Sequence, residues 1–290
     1  MPGPLLAVDA PSMLFRAFYA LPDSIKGSDG RPVNALLGTA NLILAELESH
    51  EPRAVALCFG PDAAAYRTEL YGGYHAERPE VPADLAPQFA ACDDFFGAFG
   101  WTVTGHDSLE ADDLLGSYAR LEAEAGGRAL LLTGDRDMFQ CATEAVTVLY
   151  VRTGKRGAEE VGPAEVRKRY GIDPELVPDF IALRGDPSDG IPGAQGVGEK
   201  TAAELLRRHG SLEAVLEAAI AESRPKLRTT LLASREELLA FKEIARLQDA
   251  GVERPADAET DFQGAAAAAR ERGMNRLAER LAGLGAVGGE

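Results

Sequence analysis

The chain has 290 residues, of which 46% are hydrophobic and 26% are charged. This composition is typical of a folded globular protein and excludes wholesale disorder. The net charge of −16 disfavours a basic protein that coats nucleic acid, but it does not exclude an enzyme whose carboxylates hold metal ions.

The first half of the chain predicts strands that alternate with helices. Short apolar runs typical of buried strands lie at 5–8, 54–59, 101–104, 129–133 and 146–151. Helical patterns lie between them, at 12–20, 35–48, 85–99 and 110–124. The alternation predicts an α/β domain, residues 1–160, with a mostly parallel sheet covered by helices. Such a sheet has its ligand site at the carboxyl ends of its strands.

The second half predicts helices alone, in a domain of residues 161–290. The helical patterns lie at 163–170, 174–183, 199–208, 212–221 and 235–250, followed by a polar loop at 251–264 and a terminal helix to about 284. Acidic residues are concentrated in residues 1–160, with 24 acidic against 12 basic side chains, whereas residues 161–290 have 22 against 18. A site that gathers cations and a separate surface that meets phosphate would give this distribution.

Eight carboxylates fall in four clusters at the ends of predicted elements. They are Asp9 after the first strand, Glu110, Asp112 and Asp113 at the start of a helix, Asp135 and Asp137 after the strand at 129–133, and Asp186 and Asp189 between two helices. Each cluster alone is typical of a helix cap or a turn. Together in one cleft they would repel one another as free anions, and hard divalent cations remove that repulsion. Two such ions about 4 Å apart can clamp a phosphodiester during its displacement, so the pattern predicts a phosphodiesterase site.

The same clusters carry a resemblance to a known family. The matching stretches are the first-strand Asp9, YRTELYGGYH at 66–75, EADD at 110–113, LTGDRDMFQ at 132–140, GDPSDGIPG at 185–193 and GVGEKTA at 196–202. In this order they resemble the 5′-nuclease family, which includes the 5′→3′ exonuclease domain of bacterial DNA polymerase I, phage 5′-nucleases and flap endonucleases. The likeness extends from residue 5 to about residue 208.

The resemblance implies a fold and a set of functional residues. The fold is a PIN-like α/β domain with a two-metal site, followed by a helical domain in which a helix-hairpin-helix element at about 185–210 grips duplex DNA. The implied metal ligands are Asp9, Glu110, Asp112, Asp113, Asp135, Asp137, Asp186 and Asp189. Arg78 and His75 are implied as catalytic residues. The implied DNA contacts are Arg16, Arg67, Tyr74, Gly196, Gly198, Lys200 and Thr201.

The implied activity is that of a metal-dependent 5′→3′ exonuclease and flap endonuclease, which hydrolyses DNA near 5′ single-strand/duplex junctions. The implied cofactors are two Mg²⁺ ions, which Mn²⁺ can replace, and a K⁺ ion in the hairpin turn. The expected partners are DNA with a 5′ flap, nick or 5′ end and RNA–DNA primer junctions, with no membrane. We expect a free-standing cytoplasmic enzyme of replication and repair, because the chain shows no polymerase segment, signal peptide or membrane-length apolar run.

Two positions depart from the family pattern. The family has an aspartate directly after the second strand, where this chain has Gly60, and a lysine after YGGY, where it has His75. Asp62 is the candidate replacement for the missing carboxylate. We expect altered metal demand or a lower rate, a changed metal dependence in Gly60→Asp, and activity that relies on His75 becoming cationic as pH falls.

Two other functions stay open at this point. The changes at Gly60 and His75 also fit a DNA-junction-binding protein with weakened or vestigial catalysis. A phosphatase of the HAD type also has an aspartate at the end of its first strand. That chemistry needs a second aspartate two residues later, where this chain has Pro11.

Overall fold

The computed structural model describes residues 3–152 and 157–287. Its central sheet consists of β1 (Leu5–Asp9), β2 (Ala54–Phe59), β3 (Thr102–Gly105), β4 (Ala129–Thr133), β5 (Val146–Val151) and β6 (Ala158–Val161). The strand order is β3-β2-β1-β4-β5-β6. Neighbouring strands pair parallel except β5 and β6, which pair antiparallel. The predicted mostly parallel sheet is therefore confirmed.

The central strand β1 positions the site. All five of its residues are buried, and Val8 pairs with Leu57 of β2 on one side and Leu132 of β4 on the other. From β1 the chain builds the sheet outward in one direction through β2 and β3, and then in the other through β4, β5 and β6. The order reverses between β1 and β4, and in such sheets the crevice at this switch point is where ligands bind.

Helices cover both faces of the sheet and form the C-terminal half. The helices of the sheet half are α1 (Ala10–Ala20), α2 (Asn34–His50), α3 (Ala65–Leu70), α4 (Ala86–Ala90), α5 (Cys92–Gly97) and α6 (Ala111–Glu124). Those that follow are α7 (Pro163–Tyr170), α8 (Val177–Arg184), α9 (Glu199–His209), α10 (Leu212–Ala218), α11 (Pro225–Ala233), α12 (Arg235–Ala245), α13 (Phe262–Glu271) and α14 (Asn275–Val287). Short 3-10 helices lie at Asp137–Cys141, Pro174–Leu176 and Ala219–Ala221.

Two apolar cores sandwich the sheet. One begins with Leu5 and Ala7 under α6 and continues through Phe180 into the helical half. The other contains Leu6 and Val8 on the opposite face, together with α1, α2, α5 and the alanines of α13. Alternate residues of β1 thus face the two cores, as the twofold period of a strand requires.

The structure differs from the sequence prediction in several places. The expected boundary at residue 160 falls inside β6, and α13 and α14 pack back onto the core of the first half. The helix expected at 85–99 is two short helices, α4 and α5, and α3 and α11 were not predicted. The terminal helix is divided at Gly273, whose φ of 77° ends α13. In the described part of the chain, none of the helices has the length and apolar character needed to cross a bilayer.

Candidate active site

A cleft of about 710 Å³ opens at the carboxyl ends of β1 and β4, at the switch point of the sheet. Six of the eight predicted metal ligands line it: Asp9, Glu110, Asp112, Asp135, Asp186 and Asp189. They come from a strand end, a helix start, a strand–helix turn and the loop between α8 and α9. The fold therefore brings together residues that are up to 180 positions apart in the sequence.

Thr133 at the end of β4 links two of these carboxylates. Asp9 caps α1 by accepting a hydrogen bond from the Ser12 backbone N–H at 3.0 Å. Its other oxygen accepts a hydrogen bond from the Thr133 hydroxyl at 2.7 Å, and that hydroxyl accepts one from the Asp135 backbone N–H at 3.0 Å. Asp9 therefore does cap a helix, as is typical of a lone aspartate after a strand, and the same hydrogen bonds fix its carboxylate at the cleft.

Asp137 lies behind Asp135 rather than on the cleft wall. The Asp135 carboxylate accepts a hydrogen bond from the Asp137 backbone N–H at 2.8 Å, which turns the chain into the 3-10 helix. Asp137 is half-buried, and its carboxylate is close enough to those of Asp135, Asp189 and Asp186 for them to raise its pKa further, beyond the larger effect of burial. It therefore belongs to the same acidic cluster.

Burial raises the pKa values of four carboxyl groups in this cluster, and repulsion between carboxylates raises three of them further. Burial is the larger cause for Asp9 and Asp112, and Asp9 and Asp135 raise the pKa of Asp112 further. Burial, together with the nearby Asp189, Asp9 and Asp186 carboxylates, raises the pKa of Asp135 to about 7. Each raised pKa means that the ionised group is unstable here without a compensating cation.

The donor set fits a hard divalent cation. All of the cluster's ligands are carboxylate oxygens, the type that Mg²⁺ and Mn²⁺ prefer. Within residues 3–152 and 157–287, no three such side chains surround one point closely enough to hold an ion by themselves.

Asp113 and Arg67 need correction as site residues, because they pair with each other beneath the cleft. Asp113 is fully buried, and its two oxygens accept hydrogen bonds from the Arg67 guanidinium at 3.0 and 2.8 Å. Asp113 also accepts hydrogen bonds from the backbone N–H groups of Glu110 and Gln248. Arg67 is buried and donates to the Ile244 carbonyl at 2.9 Å. Neither side chain lines the cleft, so neither is placed to contact a metal ion or DNA.

Glu110 is held at the cleft by three neighbours. One of its oxygens lies 3.0 Å from the Arg67 guanidinium and accepts a hydrogen bond from the Ala64 backbone N–H at 2.7 Å. The other accepts one from the Tyr74 hydroxyl at 2.9 Å. Tyr74 is buried, and its ring stacks on His75 at 3.8 Å. Tyr74 also lines the cleft, so the DNA contact predicted for it stays a prediction, while its hydroxyl and ring position Glu110 and His75.

His75 and Arg78 connect Asp189 to the segment after β2. His75 Nδ1 lies 2.6 Å from the Asp62 carbonyl oxygen, and Nε2 lies 3.1 Å from an Asp189 oxygen. Because a carbonyl oxygen only accepts hydrogen bonds, Nδ1 must carry a proton. Arg78 donates to that same Asp189 oxygen at 3.3 Å and to the Asp62 carboxylate at 3.0 Å, while its side chain stays 37% exposed in the cleft.

The loop between α8 and α9 is folded tightly on itself. The backbones of Asp186 and Ile191 exchange two hydrogen bonds of 2.8 Å, and Asp186 also accepts one from the Ser188 backbone N–H. Gly185 and Gly193 have φ values of 84° and 66°, and a Cβ on Gly193 would come within 2.3 Å of the Gly185 nitrogen. This close approach explains why glycines stand at both ends of the motif that presents Asp186 and Asp189.

The hairpin turn before α9 presents an open backbone. Gly196 has a φ of 81°, and no atom lies within 4 Å of the Cβ positions of Gly196 and Gly198. Gly198 is the cap of α9, Lys200 is exposed, and Thr201 is half-buried in the first turn of that helix. A helix N-terminus with open N–H groups and a nearby lysine suits a phosphate.

Two family models match consecutive parts of the chain. Residues 4–171 match the N-terminal, resolvase-like domain of the 5′-3′ exonuclease, and residues 172–266 match its C-terminal SAM fold. The chain belongs to the 5′-3′ exonuclease family.

Relatives of the family are similar in sequence over most of the chain. A 5′-3′ exonuclease of Mycobacterium tuberculosis is 37% identical over 270 residues, which cover 85% of this chain and 84% of the relative. DNA polymerase I of Mycobacterium leprae is 40% identical over 214 residues, 73% of this chain. The chain spans about a quarter of the length of the polymerases that it matches, 24% in that case.

Solved structures show the same fold at lower identity. T5 5′-exonuclease with bound divalent zinc ions has a TM-score of 0.68 and 18% identity, with 96% of this chain and 97% of that chain covered. The catalytic core of Rad2 in complex with a DNA substrate has a TM-score of 0.63 and 15% identity, with 97% and 93% covered.

Gly60 departs from the pattern of this exonuclease family for a spatial reason. A Cβ on Gly60 would lie 2.3 Å from the Leu109 carbonyl oxygen and 2.7 Å from the Glu110 Cα. The backbone that leads into α6 thus occupies the space an aspartate side chain would need to leave Gly60. Asp62 lines the cleft but pairs with Arg78, and this disfavours it as the replacement ligand.

Three further side chains at the cleft were not predicted from the sequence, namely Arg184, Arg136 and Tyr150. Arg16, predicted as a DNA contact, supports the site from α1. Arg16 donates a hydrogen bond to the Gly134 carbonyl at 3.2 Å, which ties α1 to the turn that bears Asp135. Arg184 contacts Asp186 at 2.9 Å and Glu199 of α9 at 3.3 Å. Arg136 and Tyr150 also line the cleft. Arg136 lies between the candidate ligands Asp135 and Asp137 in the GDRD motif, and this position in the sequence could have predicted that it lines the cleft.

Proposed function

We propose that this protein is a divalent-metal-dependent 5′→3′ exonuclease and flap endonuclease that hydrolyses DNA near 5′ single-strand/duplex junctions. The observation that carries the proposal is the gathering of six carboxylates in one cleft at the switch point of the sheet. Membership of the 5′-3′ exonuclease family gives that cleft its chemistry. We assign replication and repair of DNA, in the cytoplasm at the nucleoid, as its setting.

We propose two Mg²⁺ ions, replaceable by Mn²⁺, as the cofactor. Asp9, Glu110, Asp112 and Asp135, with Asp137 behind Asp135, would hold one side of the site, and Asp186 and Asp189 the other. When bound, such ions supply a Lewis acid for the phosphodiester and lower the pKa of a coordinated water. The raised pKa values of Asp9, Asp112, Asp135 and Asp137 support this assignment, because burial destabilises the ionised form of each group and a bound cation would stabilise it.

The residues of the chain itself position the substrate. Arg78 presents an exposed guanidinium beside Asp189, where it can stabilise charge that develops on the phosphate. His75 holds Asp189 from the same side and replaces the lysine of the family pattern. The open turn at Gly196 and Gly198, with Lys200 and Thr201, would hold the duplex by its backbone without selecting sequence. A K⁺ ion in that turn is part of the proposal.

The proposed substrates are DNA with a 5′ flap, a nick or a 5′ end, and RNA–DNA primer junctions. The junction-binding alternative gains no support, because the family is enzymatic and the cleft keeps six carboxylates that a binding protein would not need.

A panel of DNA substrates tests this function. Wild type is incubated with 5′-flap, 3′-flap, nicked and covalently closed circular DNA in Mg²⁺, with Asp135→Ala/Asp137→Ala as the control for contaminating nuclease. We expect cuts near the junction of the 5′ flap and at the nick, none in the closed circle, and none by the double variant. Tight binding of the 5′ flap without product in Mg²⁺ or Mn²⁺ would instead establish the junction-binding protein.

A further inference from the structure

Arg136 is a cleft cation that does not hold a carboxylate. It lies between Asp135 and Asp137 in the chain, is exposed, and lines the cleft. Its Nε donates a hydrogen bond to the Tyr150 hydroxyl at 3.1 Å, and its guanidinium carbon lies 5.9 Å from the Tyr150 ring centre. In the part of the chain that the structure describes, no carboxylate pairs with it and its two Nη groups donate no hydrogen bond.

The other cations of the cleft are already engaged. His75 and Arg78 contact Asp189 and the segment at Asp62. Arg184 contacts Asp186 and Glu199. Arg136 therefore differs from them in presenting two donor groups to whatever enters the cleft, in the geometry that suits a phosphate.

Tyr150 fixes the direction of Arg136. Tyr150 is buried in β5, where it pairs with Thr133, and its ring packs edge-on against Phe139 at 5.3 Å. Because the Tyr150 side chain is fixed by these contacts, its hydrogen bond restricts the orientation of the Arg136 guanidinium before any substrate binds. Preordering of this kind reduces the entropy that binding would otherwise cost.

The sheet order separates Arg136 from Arg78. Arg78 rests on the segment after β2, whereas Arg136 rests on β5, and three strand intervals lie between those strands. At about 4.8 Å for each interval, the two strands are about 14 Å apart. The contacts that support the two guanidinium groups thus come from strands on opposite sides of β1 and β4, which lead into Asp9 and Asp135.

We infer that Arg136 binds a phosphate of the DNA backbone that is not the phosphate being hydrolysed. Tyr150 is the positioning residue of Arg136. The inference rests on the proposed nuclease function, since it supposes that DNA lies across the carboxylates. The competing explanation is that Arg136 only offsets the negative charge of Asp135 and Asp137. That role would affect the metal, whereas a phosphate contact affects the DNA.

Three variants separate these roles: Arg136→Gln, Tyr150→Phe and Arg120→Gln. Arg120 is the matched control, because it is an exposed arginine on α6 that pairs with Glu124 and Asp249 and does not line the cleft. The dissociation constant for a 5′-flap duplex is measured in EDTA by fluorescence anisotropy at several KCl concentrations. KM, kcat and the half-saturating Mg²⁺ concentration are then measured for each variant.

We expect Arg136→Gln to bind the flap about fivefold to tenfold more weakly and to lower the salt slope of the dissociation constant by about 1, as loss of one phosphate contact does. The KM of Arg136→Gln should rise with kcat nearly unchanged. Tyr150→Phe should show a smaller effect of the same sign, and Arg120→Gln should match wild type. The inference would be overturned if Arg136→Gln left the dissociation constant and the salt slope unchanged, with or without a shift in Mg²⁺ demand. Cleavage by wild type would still uphold the proposed nuclease function in that case. If wild type neither bound nor cut the flap, the proposed function would fail, and this inference with it.

Discussion

Gly60 shows how one residue can limit the choice of metal ligands. It follows β2 at the rim of the cleft, where the family pattern has an aspartate. The backbone of Leu109 and Glu110 lies so close that even a Cβ would be in contact at 2.3 Å. The missing carboxylate is therefore coupled to the path of the chain into α6, and it cannot be restored by substitution at this position alone.

We expect Gly60→Ala and Gly60→Asp each to lower the free energy of unfolding by about 1–3 kcal/mol, the usual cost of overpacking. Gly60→Asp should not lower the Mg²⁺ concentration needed for activity, contrary to what the sequence alone suggests. Urea denaturation and an Mg²⁺ titration check both points. Gly97→Ala is the control, since nothing lies within 4 Å of its Cβ position. A Gly60→Asp protein of wild-type stability that needs less Mg²⁺ would contradict this account.

At the level of elements, the buried pair of Arg67 and Asp113 joins three parts of the fold. Arg67 belongs to α3 and Asp113 to the first turn of α6. The pair also binds the last turn of α12 through the Ile244 carbonyl and the chain just after it through the Gln248 N–H. The pair thus anchors the start of α6, where Glu110 and Asp112 enter the cleft.

Neighbouring aspartates of α6 should therefore behave in opposite ways when each is changed to asparagine. Asp113→Asn weakens a buried ion pair and should cost up to about 3–5 kcal/mol of stability, while the Mg²⁺ affinity of the folded protein stays unchanged. Asp112→Asn should weaken Mg²⁺ binding and stabilise the metal-free protein, because burial raises the pKa of that carboxyl. Calorimetric Mg²⁺ titration and thermal unfolding of both variants check this. If Asp113→Asn lost as much Mg²⁺ affinity as Asp112→Asn, Asp113 would have to be counted as a metal ligand.

The sequence predicted the elements better than it predicted the side-chain partners. Buried strands such as β1 and β4 are continuous apolar runs, so their existence and the location of the cleft follow from pattern alone. The EADD motif could not show which carboxylate turns inward, because residues 112 and 113 differ by only about 100° around a helix. The Arg67 pair and the contact of Gly60 with Leu109 join distant segments, and local periodicity carries no information about them.

Across the whole molecule, we expect the acidic cluster to make stability depend on pH and on bound metal. Asp135 stays protonated up to a pKa of about 7 in the folded protein, whereas its ordinary value is 3.8. The folded state therefore binds more protons than the unfolded state between those values. This contribution to stability is fully present below about pH 4 and is lost as pH rises through about 7.

The melting temperature of the metal-free protein should therefore fall between pH 5 and pH 8. Mg²⁺ should raise it more at pH 8 than at pH 5, because the ion takes the place of the lost protons. Asp135→Asn should flatten the pH dependence, and Asp93→Asn, an exposed acidic change on α5, should leave it as in wild type. Thermal unfolding in EDTA and in Mg²⁺ measures both effects. A metal-free melting temperature that rises across this range would contradict the raised pKa values.

The most direct test of the central claim is the single-turnover rate at which a 5′-labelled flap duplex is cut, with wild type beside Asp135→Ala/Asp137→Ala. The account predicts product at the junction that requires Mg²⁺ or Mn²⁺, is abolished by EDTA and falls at least about a hundredfold in the double variant. A double variant that cuts as fast as wild type would contradict the claim that these carboxylates form the catalytic site.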